Sequence, residues 1–203
     1  MLGMVLDRMT EAPPQRRDQV LATAETLFAR RGFRATSVRD IADALGIQAG
    51  SLYAHIETKE DLLWGIVNAA ADRFFAAVEP IVASDLLPIE KLRRVMAAHV
   101  GVITAGTASA SVYSTQWRHL TEPRRNAFAA RRDAYEEIIL GLVHDCIREG
   151  TFADMDEKFA TLLILSSMNW IYQWYRPDGP MAPDEIAAKL TDMLFQGLRR
   201  AGR

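Results

Sequence analysis

Gln48, Ser51, Tyr53 and His55 are the side chains whose types and spacing suit recognition chemistry. A glutamine amide carries a donor and an acceptor together and can address a base edge, most naturally that of adenine. Tyr53 and His55 have the reach for phosphate oxygens, and Ser51 could serve either purpose. Ala49 and Ala54 lie on the same segment and belong to the DNA-facing set. Ser37 and Arg39, a little upstream, and Lys59, just downstream, complete it. Other constellations are chemically inert. His144-Asp145-Cys146 invites a nucleophile, but adjacent residues on a helix diverge by about 100° and cannot converge on one substrate. His55, His99, His119 and His144 have no metal-ligand spacing, and the single cysteine offers no pair for zinc. Asp154-Met155-Asp156 lacks the glycine and distal glutamate of a calcium loop, and no phosphate-binding glycine motif is present. The sequence therefore reads as a binding protein, with no metal and no cofactor, and not as an enzyme.

The elements that position the polar set are short and well punctuated. Ser37 is a good helix N-cap with Asp40 three residues on, and Val38, Ile41, Ala42 and Leu45 follow as one apolar stripe. Gly46 ends that helix where a left-handed residue is needed. Ile47 anchors the turn, and the spacing predicts a second helix from Gln48 through Ile56, with only Leu52 and Ile56 pointing inward. Two helices joined by a glycine turn form a helix-turn-helix, whose second helix fits the major groove. Thr58 with Asp61 caps the next helix and brings Lys59 and free N–H groups to a helix start, a natural phosphate site. The plainer alternative is a small helical bundle with a polar face and no ligand.

The run TSVRDIADALGIQAGSLYAHIETKEDLL is similar to the DNA-binding signature of the TetR family of bacterial one-component repressors. The resemblance rests on Gly32–Phe33, Ile41-Ala42, Leu45-Gly46-Ile47, Gly50-Ser51-Leu52-Tyr53 and Lys59-Glu60-Asp61-Leu62. Ile56 departs from it, standing where the family more often carries phenylalanine. The signature covers roughly the first quarter to third of the chain.

The chain has 203 residues, 49% hydrophobic and 25% charged, and a net charge of −2. That length can bury a sizeable core in one or two domains. The net charge gives no global attraction to nucleic acid, so any must come from local placement of Arg16, Arg17, Arg30, Arg31, Arg34, Arg39 and Lys59. A lone cysteine fits a reducing compartment, and no apolar run approaches the ~20 residues of a membrane span. The expected location is the cytoplasm.

Helical periodicity continues to the C-terminus, with no strand pattern, and predicts an all-α fold of about nine helices. Residues before Pro13 read as a loose arm, and the first helix runs from about Pro14 to Arg31. The helix after Thr58 should end or kink at Pro80. Pro88 opens a helix to about Thr104, and Thr107 to Ser111 reads as a break before a short helix carrying Trp117. Glu122 to Glu149 is one long helix. Asp154 with Glu157 caps a helix that continues through Trp170, Trp174 and Tyr175, and the last runs from Pro183 to about Arg200. The organisation is 1–58 as a three-helix DNA-binding domain and 59–203 as a larger bundle for ligand binding and dimerisation.

Two features of the second part stand out. Arg124, Phe128, Arg131 and Tyr135 share one helix face, a place for arginine only if it meets anions; pairing such as Arg132 with Glu136 is the ordinary alternative. Asn169, Trp170 and Trp174 cluster in Met168 to Pro180, where such aromatics more often serve core or interface than a ligand cage. These segments resemble the ligand domain of the TetR branch that governs fatty-acid or related acyl breakdown and answers to acyl-coenzyme A thioesters. The resemblance implies a small apolar or amphipathic effector. Trp117, Phe128, Met168 and Trp170 would form an apolar tunnel, Arg124, Arg125, Arg131 and Arg132 would serve the phosphates, and Arg118, Tyr135 and Asn169 would join the site. It also implies a homodimer through the last two helices, set on a palindromic operator of double-stranded DNA. The rivals are a regulator of the same fold sensing an uncharged lipophile or drug, and a helical interaction module that binds no DNA.

Overall fold

A computed structural model describes residues 16–53 and 56–198. Every regular element among them is helical: α1 (Arg16–Arg31), α2 (Val38–Ala44), α3 (Ala49–Leu52), α4 (Lys59–Val82), α5 (Pro88–Ala105), α6 (Thr107–Thr115), a 3-10 turn (Trp117–His119), α7 (Glu122–Arg148), α8 (Glu157–Asn169), α9 (Ile171–Trp174) and α10 (Pro183–Leu198). With α8 and α9 taken as one broken helix, the described residues hold nine. The arm before Pro13, the start of the first helix at Pro14, Ala54, His55 and the far end of the last helix lie outside the described residues.

α4 organises the molecule. Thr58 and Asp61 close a reciprocal capping box at its start. Its buried residues, Leu62, Leu63, Ile66, Val67, Ala70, Ala71, Phe74 and Val78, cover two faces of the helix instead of one stripe. α4 therefore packs on α1 and also on α5, α6 and α7. Helix α2 starts from a second capping box, Ser37 with Asp40, and buries Ile41 and Ala42. Gly46 follows it with φ +66°, the left-handed region a Cβ disfavours.

Several boundaries differ from the sequence reading. Pro80 does not end α4, which runs two residues further to Val82. Thr107 to Ser111 is helical and opens α6, because Ser109, Ala110, Val112 and Tyr113 bury one side of it. Asp156, not Asp154, caps α8 by accepting the N–H of Phe159 at 2.9 Å. The helix does not run unbroken to Tyr175: it breaks at Trp170, which ends α8 and precedes the single turn of α9.

Candidate nucleic-acid interface and effector cavity

Among the described residues the second helix of the helix-turn-helix is α3, Ala49–Leu52. Gln48 is the N-cap of α3, Tyr53 its C-cap, and between them lies one turn. Leu52 is fully buried and Ile56 nearly so, as the spacing required. Gln48 and Ser51 are exposed, Ala49 is half-buried, and Tyr53 keeps 57% of its surface. An exposed aromatic of that size on a polar face suits a partner surface. Arg39 is exposed on α2.

Two of the expected DNA contacts are engaged elsewhere. The Ser37 hydroxyl donates to Asp40 Oδ2 at 2.6 Å and accepts the Asp40 N–H at 3.1 Å, so its one proton is used in the cap. Lys59 does not extend outward. Its ammonium donates to the carbonyls of Phe33 and Thr36, at 2.8 Å each, and lies 4.1 Å from the Phe33 ring centroid. Burial lowers its pKa below the usual lysine value. The side chain ties the start of α4 to the α1–α2 loop.

The arginines of α7 do meet anions, but the anions are the protein's own. Arg124 Nη2 donates to Asp61 Oδ1 at 2.6 Å, and its Nη1 lies 3.6 Å from Glu60. Thr121, the N-cap of α7, donates its N–H and hydroxyl to Glu60 Oε1 at 3.0 and 2.8 Å. Arg131 reaches Asn68 and Asp72, about two and three turns further along α4. Arg125 points to the Leu120 carbonyl at 3.5 Å. Of the arginines foreseen for phosphates, Arg124, Arg125 and Arg131 do not line the cavity described below, and here their guanidiniums fasten α7 to α4 and to its own N-terminal turn. Arg132 does not pair with Glu136, whose carboxylate meets Lys158 of α8 instead.

A cavity of about 420 Å³ lies within the larger bundle. Of the residues foreseen for a ligand, Trp117, Arg132, Tyr135, Asn169 and Trp170 line it. Phe128 and Met168 are fully buried in the core and do not. Arg118 is exposed at the same corner, its guanidinium 5.1 Å from the Trp117 ring, while that of Arg132 lies 5.0 Å away. Trp170 is 62% exposed and so stands at the solvent side.

The wall is more polar than the apolar tunnel foreseen, because His99, Tyr113, Asp133, Glu136 and Ser166, none of them foreseen for a ligand, also line it. His99 Nδ1 is 2.9 Å from the Tyr135 hydroxyl, and its Nε2 is 3.3 Å from Asn169 Oδ1. Phe74 packs against its ring at 4.7 Å. Complete burial lowers the His99 pKa to about 4, so the ring is neutral near pH 7. Burial also raises the Tyr113 and Tyr135 phenols. One signal in the sequence could have found His99: it interrupts the apolar stripe Leu92, Val95, Met96, Val100, Ile103 of α5.

The cavity and the helix-turn-helix are joined by a short strip of chain. Tyr113, Ser114 and Trp117 line the cavity. Between them Gln116 Oε1 accepts the Phe33 N–H at 2.9 Å, and His119 stacks on the Phe33 ring with centroids 5.8 Å apart. Thr121 and Arg124 then hold the first turn of α4. The strip thus touches the helix-turn-helix at its loop and at the root of α4.

A helix-turn-helix with a polar outer face, fastened to a helical bundle that encloses a cavity, defines a one-chain regulator. The chain belongs to the TetR family of bacterial regulatory proteins. Its residues 20–64 match the family's DNA-binding profile, described as bacterial regulatory proteins of the tetR family, and residues 85–198 match the tetracyclin repressor-like C-terminal domain. It is 33% identical over 192 residues to the HTH-type transcriptional repressor KstR2 of Rhodococcus jostii strain RHA1, covering 93% of this chain and 94% of that protein. The solved ketosteroid transcriptional regulator KstR2 of Mycobacterium tuberculosis superposes with a TM-score of 0.88 at 30% identity, over 94% of this chain and 98% of that one. AibR, solved in complex with isovaleryl coenzyme A and operator DNA, superposes with a TM-score of 0.81 at 30% identity, over 89% and 98%.

Proposed function

We propose that this protein is a ligand-responsive transcriptional repressor that binds a near-palindromic operator as a homodimer and is released by an acyl-coenzyme A thioester. Residues 1–58 read the DNA, and 59–203 bind effector and partner. Gln48, Ala49, Ser51, Tyr53 and Arg39 face the duplex, Ala54 and His55 join them by the sequence spacing alone, and the N–H groups of the first turn of α4 that the cap leaves unused meet phosphate. The likeness to AibR supports the thioester. So does the cavity, whose volume lies in the range of small-molecule sites, roughly 300–1,000 Å³. The acyl group enters it, and Arg118 and Arg132 beside Trp117 serve the phosphates outside.

The dimer surface is the outer face of α8 with α10. Phe159, Leu162 and Leu163, at i, i+3, i+4, are exposed at 68%, 43% and 42%, and Met193 of α10 at 75%. A contiguous apolar face of this kind marks an interaction site. Two copies joined there would set paired helix-turn-helix units about 34–36 Å apart or a multiple of it.

The observation that carries the reading is the strip from Trp117 to Arg124, which lines the cavity at one end and grips Asp61 at the other. A ligand that prefers one position of this strip shifts the spacing of the two DNA-reading units, by no more than its preference between the two states. The test is an operator gel shift titrated with long-chain acyl-coenzyme A. Release of DNA by the thioester, weakened by Arg132→Ala, is expected. Retention of DNA with every thioester, but release by an uncharged lipophile, would replace the proposed effector.

A further inference from the structure

The wall of the cavity holds a chain of three uncharged polar side chains, Tyr135, His99 and Asn169, from α7, α5 and α8. A tyrosine hydroxyl, a neutral imidazole and a primary amide bring four hydrogen-bonding protons between them. The two bonds of the chain use two. Two protons therefore remain whichever way the amide and the ring are turned. With Asn169 Oδ1 toward His99, as found, both sit on Asn169 Nδ2, for which no acceptor is found among the described residues. A second wall residue repeats the pattern: the Trp117 Nε1–H is buried and has no acceptor. The carboxylates of this wall do not supply one: Glu136 Oε1, itself buried without a hydrogen-bond partner, is held by its ion pair with Lys158, and Asp133 is exposed.

Unpartnered donors in a site that a bound ligand closes to water favour a ligand that brings acceptors and disfavour a hydrocarbon of the same shape, which would seal them away from water. We infer that the Tyr135–His99–Asn169 chain, with Trp117, is a specificity-determining subsite for an effector that carries a neutral oxygen acceptor, a ketone or similar carbonyl, on its apolar body. A neutral group fits better than a carboxylate. The chain has no formal charge to offer, and two acidic residues share the wall with Arg132. Asn169 and Trp117 act by touching the ligand; His99 and Tyr135 position the amide. This rests on the reading of the cavity as the effector site.

The experiment measures binding of a cyclohexane-carboxyl coenzyme A thioester and its ring-ketone counterpart to the full chain, by calorimetry. The ring ketone should bind about tenfold more tightly, the worth of one good hydrogen bond. Asn169→Leu and Trp117→Phe, checked for folding by retained operator binding, should each reduce that ratio, whatever their common effect on the affinity for both thioesters. Equal binding of the two thioesters, or a ratio untouched by both substitutions, overturns the inference and leaves the repressor reading intact. If neither thioester binds, the thioester reading falls, and the pair becomes decalone and decalin, free of coenzyme A. A preference for decalone that Asn169→Leu removes then upholds the subsite; no preference overturns it.

Discussion

Gln116 Oε1 accepts the backbone N–H of Phe33 at 2.9 Å, across 83 residues of sequence. The bond joins the end of α6, one residue from a wall of the cavity, to the loop between α1 and α2. It bypasses α4, so besides the packing of α1 on α6 and α4 the DNA-reading unit has two polar ties: this bond at its loop and Asp61 at the root of α4.

Gln116→Leu removes the acceptor and leaves a half-buried N–H. The expected loss is about 1–3 kcal/mol of stability, the range for an orphaned backbone donor. If the strip transmits the effector's signal, the variant should bind operator and effector and yet need more effector for release. Chemical denaturation and an operator gel shift titrated with effector measure the two effects.

Asp61 has two tasks. One oxygen accepts the Thr58 N–H that closes the cap, and the other accepts Arg124. Asp61→Ala is expected to cost about 1–2 kcal/mol through the lost cap alone, and more through the freed guanidinium. A double-mutant cycle with Arg124→Leu should show a coupling of about 1 kcal/mol. Additive losses would mean that the Arg124–Asp61 pair contributes nothing to stability.

His99 makes stability depend on pH. Its ring is held neutral, so between pH 6.5 and about 4 the unfolded chain takes up the proton that the fold resists. The contribution is complete above pH 6.5 and is lost as pH falls through that window, on the order of 3 kcal/mol in all. Urea midpoints across this range should flatten in His99→Leu. Asp40 and Asp61 act lower down. Bonds from Ser37 hold the Asp40 carboxyl below the usual range; at Asp61, burial raises the pKa but is outweighed by Arg124 and Thr58. Their contribution is present above about pH 4 and is lost below it.

Phe159→Glu places a charge on the exposed apolar face of α8. Sedimentation should show the wild type as a dimer and the variant as a monomer of unchanged helicity. Operator affinity should fall with it, because one half-site is then read alone. A variant that stays dimeric would move the interface off this face.

The sequence by itself determined what is local. Ser37 with Asp40 and Thr58 with Asp61 are contacts three residues apart, and Gly46 is a single left-handed residue; each follows from residue type and spacing. So do the buried stripes of α2 and α5, which fix the helical class and the polar face that carries Gln48 and Tyr53. Tertiary structure decided where the charged and polar side chains spend their bonds. The periodicity of α7 puts Arg124 and Arg131 on one face but does not say that α4 lies opposite, with Asp61 and Asp72 in reach. Nor could it turn Lys59 onto Phe33, break α8 at Trp170, or bring His99, Tyr135 and Asn169 from three helices to one cavity. A helix face is written in its own residues, whereas a hydrogen-bond partner is fixed by whichever helix packs against it.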